Sequence, residues 1–391
     1  MRPARADACR RAPWTRPADG LEARCGPAPR LPSVTAHALL LFPAVWHDRS
    51  MPLDGTPLAR LGFLTIGSFD PARPSEGHED TLRVVERAEA LGFDSAWLRH
   101  RHLQHGISSP VAVMAAASQR TSRIDLGTAV TPIGAENPFR LAEDLGTVDV
   151  LLGGRLNPGF SVGTPMHYDL YREALYPDTA DREDLGNDRL LRFRDLVRGD
   201  PVTDTVERRG IEEFAQTVQP HSAGLADRIW YGTGSTKSAV WAGENGFHLL
   251  TSSVTRSEVG TDFATNQRAQ IDAYLDVHPD PAAARVSQGL VVIPTDTATP
   301  EQEARYRAYV DGRSGRVGVP MGPAGMLFAA DLVGPSVEIA DRLRADAGYQ
   351  AVTEVAFALP FSFEPDDYAQ IITDIAERLG PELGWAPERA V

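Results

Sequence analysis

From residue 61 onward, apolar and polar positions switch repeatedly between two periods. Short apolar runs of strand type (LGFLTIG, DSAWLRH, IDLGTAVTP, RLNPGFSVG) are each followed by a stretch with helical spacing. In EDTLRVVERAEALGF, the apolar Leu82, Val85, Ala88 and Leu91 share one helical face, and Gly92 suits the stop. Ser-Ser-Pro at 108–110 and Asn-Pro at 137–138 each pair a capping residue with a proline at the first helical position. After a long insertion the alternation returns. DRIWYGTG, FHLLTSS, RVSQGLVVIPT and AVTEVAFALPF read as strands. STKSAVWAGENG, SEVGTDFATNQRAQIDAYLD, TPEQEARYRAYV, SVEIADRLRADAGY and PDDYAQIITDIAERLGPEL read as helices.

Consecutive strands joined through helices run parallel. Eight strand candidates in about 340 residues predict an α/β fold, a (β/α)8 TIM barrel with insertions after strands 4 and 7. The insertions, 165–226 and 311–335, then lie on the C-terminal face, where barrels build their sites. An open doubly wound sheet is the alternative, but its G-x-G-x-x-G after the first strand is absent.

The first fifty residues break this pattern. They are rich in Ala, Arg and Pro and show no period before VTAHALLLFPAVW. Eight arginines against four acids give them a net charge of +4, so 51–391 carries −18 of the −14 total. A secretory signal would start too deep in the chain and lacks a clean cleavage site. The expectation is a disordered extension over 1–50, with Met51 as a candidate start and 51–391 as the folded domain. So acidic a surface argues against nucleic acid and anionic lipid as partners. No apolar run is long enough for a transmembrane helix. Cys9 and Cys25 are the only cysteines, which leaves the domain without a disulfide framework or thiolate metal site. A cytoplasmic location is expected.

Four stretches carry chemistry. RHRHLQHG (99–106) gathers His100, His102, His105, Arg99 and Arg101 at the end of the second strand. The spacing does not suit a metal, and the readings left are an active-site wall or a solvated basic loop. On a strand, His100 and His102 point one way and the arginines the other. LGTAVTPIG (126–134) ends a strand in small residues, which let a flat ring approach the backbone or pack a barrel core tightly. In GFSVGTPMHYDLY (159–171), Ser161, Gly163 and Thr164 follow the fourth strand, and glycine there permits positive φ and close ligand approach. YGTGSTKS (231–238) combines Gly232 and Gly234, which allow a tight turn with positive φ expected at Gly234, a Ser235 cap, and Lys237, the only lysine, in the first helical turn. A helix N-terminus offers free N–H groups and positive dipole to a phosphate. A plain capped helix is the other reading, and the Walker spacing is missing.

The run from AWLRHRHLQHG through RTSRIDLGTAV, NPFRLAEDLGTVDVLLGGRL and NPGFSVG to WYGTGSTKSAVWAGENG resembles the bacterial luciferase-like flavin-dependent monooxygenases. It does so well over 61–250 and more loosely to about 380. The resemblance implies reduced FMN at the C-terminal mouth, its ring against the third-strand tip. Ala129 and Val130 fall where the family has a non-proline cis peptide. Ser161, Gly163 and Thr164 fall on the loop lining the flavin, and Gly232, Gly234, Ser235 and Ser238 on the phosphate-binding turn. Two departures stand out. The family's acid-His-His triplet reads His100-Arg101-His102, and its fourth-strand-loop arginine reads Val162.

The implied reaction oxidises a small organic substrate with O2 through a C4a-hydroperoxyflavin. His102 donates a proton or hydrogen bond, Arg101 holds an anionic group, and His167 and Tyr168 face the substrate. The 165–226 insertion is the expected mobile cover. An NAD(P)H:flavin reductase is the expected partner and a homodimer the family's habit. A deazaflavin hydride-transfer enzyme and a non-catalytic flavin-binding barrel are the alternatives.

Overall fold

The computed structural model describes residues 57–361 and 363–387. The extension 1–50, with both cysteines, lies outside the described residues.

Strand β1 (Arg60–Thr65) leads through helix α1 (Pro74–Leu91) to β2 (Ser95–Leu98), and α2 (Pro110–Ser118) leads to β3. Strand β3 comes in two pieces, Asp125–Thr128 and Thr131–Pro132, separated at a cis Ala129–Val130 bond. Helix α3 (Pro138–Leu152) precedes β4, itself split by Pro158 into Leu156–Asn157 and Gly159–Ser161. Then follow α4 (Asn187–Arg198), β5 (Trp230–Gly232), α5 (Thr236–Glu244), β6 (His248–Thr251), α6 (Phe263–Val277) and β7 (Val286–Gln288). Helices α7 (Pro300–Ser314) and α8 (Ser336–Arg344), strand β8 (Glu354–Ala358) and α9 (Pro365–Asp374) complete the series.

These segments form one parallel sheet of ten pieces that curls. Strand β1 pairs with β2 on one side and β8 on the other. The ladders continue from β2 to β3, from each piece of β3 to the matching piece of β4, and on through β5, β6, β7 and β8. An open doubly wound sheet would leave two edge strands, whereas here each of β1 to β8 pairs on both sides, β1 with the last strand β8.

Strand alternation sorts the side chains into two cores. Leu61, Phe63, Ala96, Leu98, Leu126 and Phe160 face the helices in the larger one. Trp97, Trp230, Leu250 and Ala356 form a small cluster inside the curl, the two indoles meeting edge to face at 5.3 Å. Toward the strand N-termini lie ion pairs: Arg60 to Asp125 at 2.7 Å and Arg285 to Glu354 at 2.6 Å.

Local signals succeed unevenly. Asn137 caps α3 by accepting from the amides of Phe139 and Arg140, and Thr299 builds a capping box on α7. Ser109 does not cap α2 with its side chain, although Pro110 does open the helix. The predicted strand over 285–295 is two, Val286–Gln288 and Val292–Pro294, and the second pairs with Leu332–Gly334 instead. Nor is 165–226 a single cover. Its α4 buries Arg189, Leu190, Phe193 and Val197, whereas its hairpin Glu207–Arg209 with Glu212–Phe214 is exposed throughout.

Candidate active site

The strands put inward-facing side chains in layers. Above the indole pair, Leu64, Ala129 and Val130 pack half-buried on the inner cluster, a small apolar floor at the strand tips. A Cβ on Gly232 would stand 2.7 Å from Val130 Cγ1, so glycine is required there by close packing. On β4, Phe160 is buried toward α4 against Phe193, which turns Ser161 to the inside. Gly163 has φ of +89°, as the loop reading anticipates, and a Cβ there would meet nothing within 4 Å. Thr164 is exposed.

The loop after β2 brings His100 and His102 together, ring centroids 4.7 Å apart. His102 also packs on Tyr171 at 4.8 Å, and Tyr171 meets Tyr168 edge to face at 5.8 Å. Burial pushes His100 down to about 3, helped by His102 and Arg101. Burial, then Arg101, also lowers His102, so both imidazoles are neutral near pH 7. Burial lowers Arg101 as well, and among the described residues its guanidinium reaches only the His100 carbonyl, at 3.4 Å. His100 Nδ1 stands 4.0 Å from Glu136 Oε1. Burial, with Asp144 nearby, lifts Glu136 to about 7. His100 and Glu136 border a cleft of about 330 Å³ between α2 and α3.

Of the residues expected to face substrate, Tyr168 is buried in this cluster, while His167 is exposed on a turn with φ of 58°. Tyr171 and Glu136 escape sequence reasoning, whereas Arg99 belongs to the basic stretch already singled out after β2. The Tyr168/Tyr171 spacing in YDLY is the one signal that points to Tyr171.

The glycine turn before α5 differs from expectation. Neither Gly232 nor Gly234 is among the residues with positive φ. The Ser235 and Ser238 hydroxyls bond each other at 2.6 Å, and Ser235 accepts from the Ser238 amide. The Thr236 amide and hydroxyl both donate to the Glu258 carboxylate at 2.7 Å, so the helix N-terminus already holds an acid. Lys237 is exposed, and a Cβ on Gly234 would meet nothing within 4 Å. Among the described residues, no group of three or more His, Cys, Asp or Glu is placed for a metal, and no helix is long and apolar enough to cross a membrane.

Residues 60–353 match the model of the luciferase-like monooxygenases. The chain belongs to this family. Limonene 1,2-monooxygenase of Rhodococcus erythropolis is 40% identical over 88 residues, 22% of each chain. The F420-dependent glucose-6-phosphate dehydrogenase of Kribbella flavida is 26% identical over 198 residues, 48% of this chain and 57% of the relative. The matches thus span less than two thirds of these relatives. Among solved structures, the FMN complex of the oxygenating constituent of 3,6-diketocamphane monooxygenase from Pseudomonas putida has a TM-score of 0.58 at 15% identity. It covers 82% of this chain and 98% of its own. The coenzyme F420 dependent tetrahydromethanopterin reductase of Methanopyrus kandleri has a TM-score of 0.57 at 15% identity, covering 84% and 99%. These two share the fold with this luciferase-like chain. The family includes both FMN monooxygenases and F420-dependent oxidoreductases, which supports enzyme status and a small-molecule substrate.

Proposed function

We propose that this luciferase-like chain is a (β/α)8 flavin-dependent monooxygenase that uses reduced FMN and O2 on a small organic substrate, with 1–50 outside the catalytic domain. The observation that carries the reading is the apolar floor of Leu64, Ala129, Val130 and Leu250 in the curled sheet, together with the polar cluster of His102, Arg101 and Tyr171 on the loops that follow β2 and β4. A flat, largely apolar ring suits small residues at strand tips, and such a site keeps water from the reacting atoms. Bound FMN supplies the two electrons that let one atom of O2 enter the substrate and the other leave as water.

In this reading Ala129 and Val130 carry the ring, and Ser161, Gly163 and Thr164 line its side. The phosphate lies by Gly232, Gly234, Ser235 and Ser238, on the open side of Gly234. Glu258 disfavours a phosphate at the Thr236 amide, and Lys237 and the dipole of α5 offset it. Neutral His102 holds an N–H toward the reacting atoms, Arg101 holds an anionic group, and His167 and Tyr168 lie on the substrate side. A flavin reductase supplies FMN in reduced form, a homodimer follows the family habit, and a cytoplasmic location fits a domain without cysteine. Deazaflavin hydride transfer is the second reading, because F420-dependent relatives share the family.

Anaerobic titration of reduced FMN and a reduced deazaflavin into the purified protein separates the readings. Tight binding of reduced FMN with oxygen uptake on aeration supports the monooxygenase. Tight binding of the deazaflavin alone, without oxygen uptake, replaces it with the hydride-transfer reading.

A further inference from the structure

Twelve buried side-chain nitrogen and oxygen atoms among the described residues have no hydrogen-bond partner, and six of them sit together. They are both ring nitrogens of His100, Nε of Arg101, Nε2 of His102, and the hydroxyls of Tyr168 and Tyr171. Buried polar groups are nearly always paired, so this concentration marks a place where a polar partner belongs. The residues are deeply placed: His100 is 2% exposed, Tyr168 4% and Tyr171 9%.

The set is rich in donors. Burial raises both tyrosines, so each hydroxyl keeps its proton. A neutral His102 has one N–H to give. Arg101 is a cation without a carboxylate partner among the described residues, whereas Arg172 and Arg189 pair with Asp181 and Glu183. Arg99 likewise lacks one and lies over the Phe361 ring at 5.1 Å. Its charge and that of Arg101 repel each other, a second sign that this face lacks an anion. Half-buried guanidiniums left without an acid, in a chain with 53 acids and 39 basic residues, call for a ligand that brings the negative charge.

We propose that this cluster seats the carboxylate of an anionic substrate between Arg101, His102, Tyr168 and Tyr171. The inference rests on the flavin-dependent reading and adds the charge of the substrate to it. Two carboxylate oxygens offer about four lone-pair sites, enough for the Arg101 guanidinium and the two hydroxyls, which leaves the single His102 N–H beside them for the reacting atoms. Arg99 adds a second positive charge. His100, wedged between His102 and Glu136, is a positioning residue for the His102 ring. A cofactor phosphate presents the same chemistry, so the test must tell the two apart.

Benzoate, whose ring suits the aromatic lining, and benzamide, its uncharged counterpart, are titrated calorimetrically into the full-length protein. FMN and riboflavin are titrated in parallel. Benzoate is expected to bind saturably and benzamide at least about ten-fold more weakly. Arg101→Gln should weaken benzoate at least about ten-fold and Tyr171→Phe several-fold, with FMN and riboflavin affinities unchanged. Tyr171→Phe keeps the ring packing and remains informative should Arg101→Gln not fold. Equal binding of benzoate and benzamide, no benzoate binding, or unchanged benzoate affinity in Tyr171→Phe would overturn the proposal. Selective loss of FMN over riboflavin in Arg101→Gln would assign the anion to the cofactor and overturn it equally. A protein that binds no flavin yet prefers benzoate keeps the anion site and defeats only the flavin reading.

Discussion

Glu136 stands where β3 hands over to α3, with 28% of its side chain exposed. Burial first, then the like charge of Asp144, lifts its carboxyl from 4.5 to about 7, and Arg189 offsets only part of this. Glu136→Gln keeps the size of the side chain. It also keeps the backbone carbonyl, which accepts from Arg189 Nε at 2.8 Å. A carboxyl raised this far corresponds to about 3 kcal/mol, and the solvent still reaching it trims that to about 2 kcal/mol. Because the folded state holds the proton more tightly, the stabilisation is fully present below about pH 4.5 and lost as pH rises through about 7. His100 works in the opposite sense. Its neutral form is favoured, so its contribution is present above about pH 6.5 and lost as pH falls toward about 3. Urea unfolding followed by tryptophan fluorescence, on wild type and Glu136→Gln between about pH 5 and 8, isolates the Glu136 part. The variant should gain about 2 kcal/mol relative to wild type across that range. A difference between the two proteins that stays constant with pH would refute the burial argument.

Gly234→Val should leave the melting temperature unchanged, since its Cβ meets nothing within 4 Å. It should weaken FMN about ten-fold relative to riboflavin in parallel binding titrations. His102→Gln should lower turnover about 10²-fold or more with reduced-FMN affinity unchanged, as steady-state kinetics and flavin titration would show. Asp149 is fully buried and accepts from both Arg228 terminal nitrogens, at 2.9 and 2.8 Å, and from Ser222 and the Leu156 amide. Asp149→Ala should therefore cost about 3 kcal/mol in urea unfolding.

The period of apolar positions carried most of the architecture, because each strand and helix must bury one face and the spacing records which. It could not show breaks inside a strand. Pro158 splits β4 and the cis bond splits β3 without disturbing the apolar run, and Ala129 and Val130 were legible only through the family resemblance. The glycines of YGTGSTKS illustrate a different limit. Composition suggested a positive-φ turn, whereas Gly232 answers to the Val130 side chain and Gly234 to open space. Contacts between distant segments were the least legible. His102 meets Tyr171, and Glu136 faces His100, only after the sheet has curled and the 168–189 stretch has packed on it. A hydroxyl such as that of Tyr171, left without a partner in a buried cluster, gives no sign of itself in the order of residues.

Rapid mixing tests the central claim most directly. Protein carrying reduced FMN anaerobically is mixed with O2-saturated buffer, and flavin absorbance is followed beside free reduced FMN and beside protein carrying a reduced deazaflavin. A buried flavin over Ala129 and Val130, shielded from water, should reoxidise on the protein with kinetics and spectra unlike those of free flavin. The deazaflavin sample should stay reduced. Reoxidation indistinguishable from free FMN, with no bound fraction, would contradict the account.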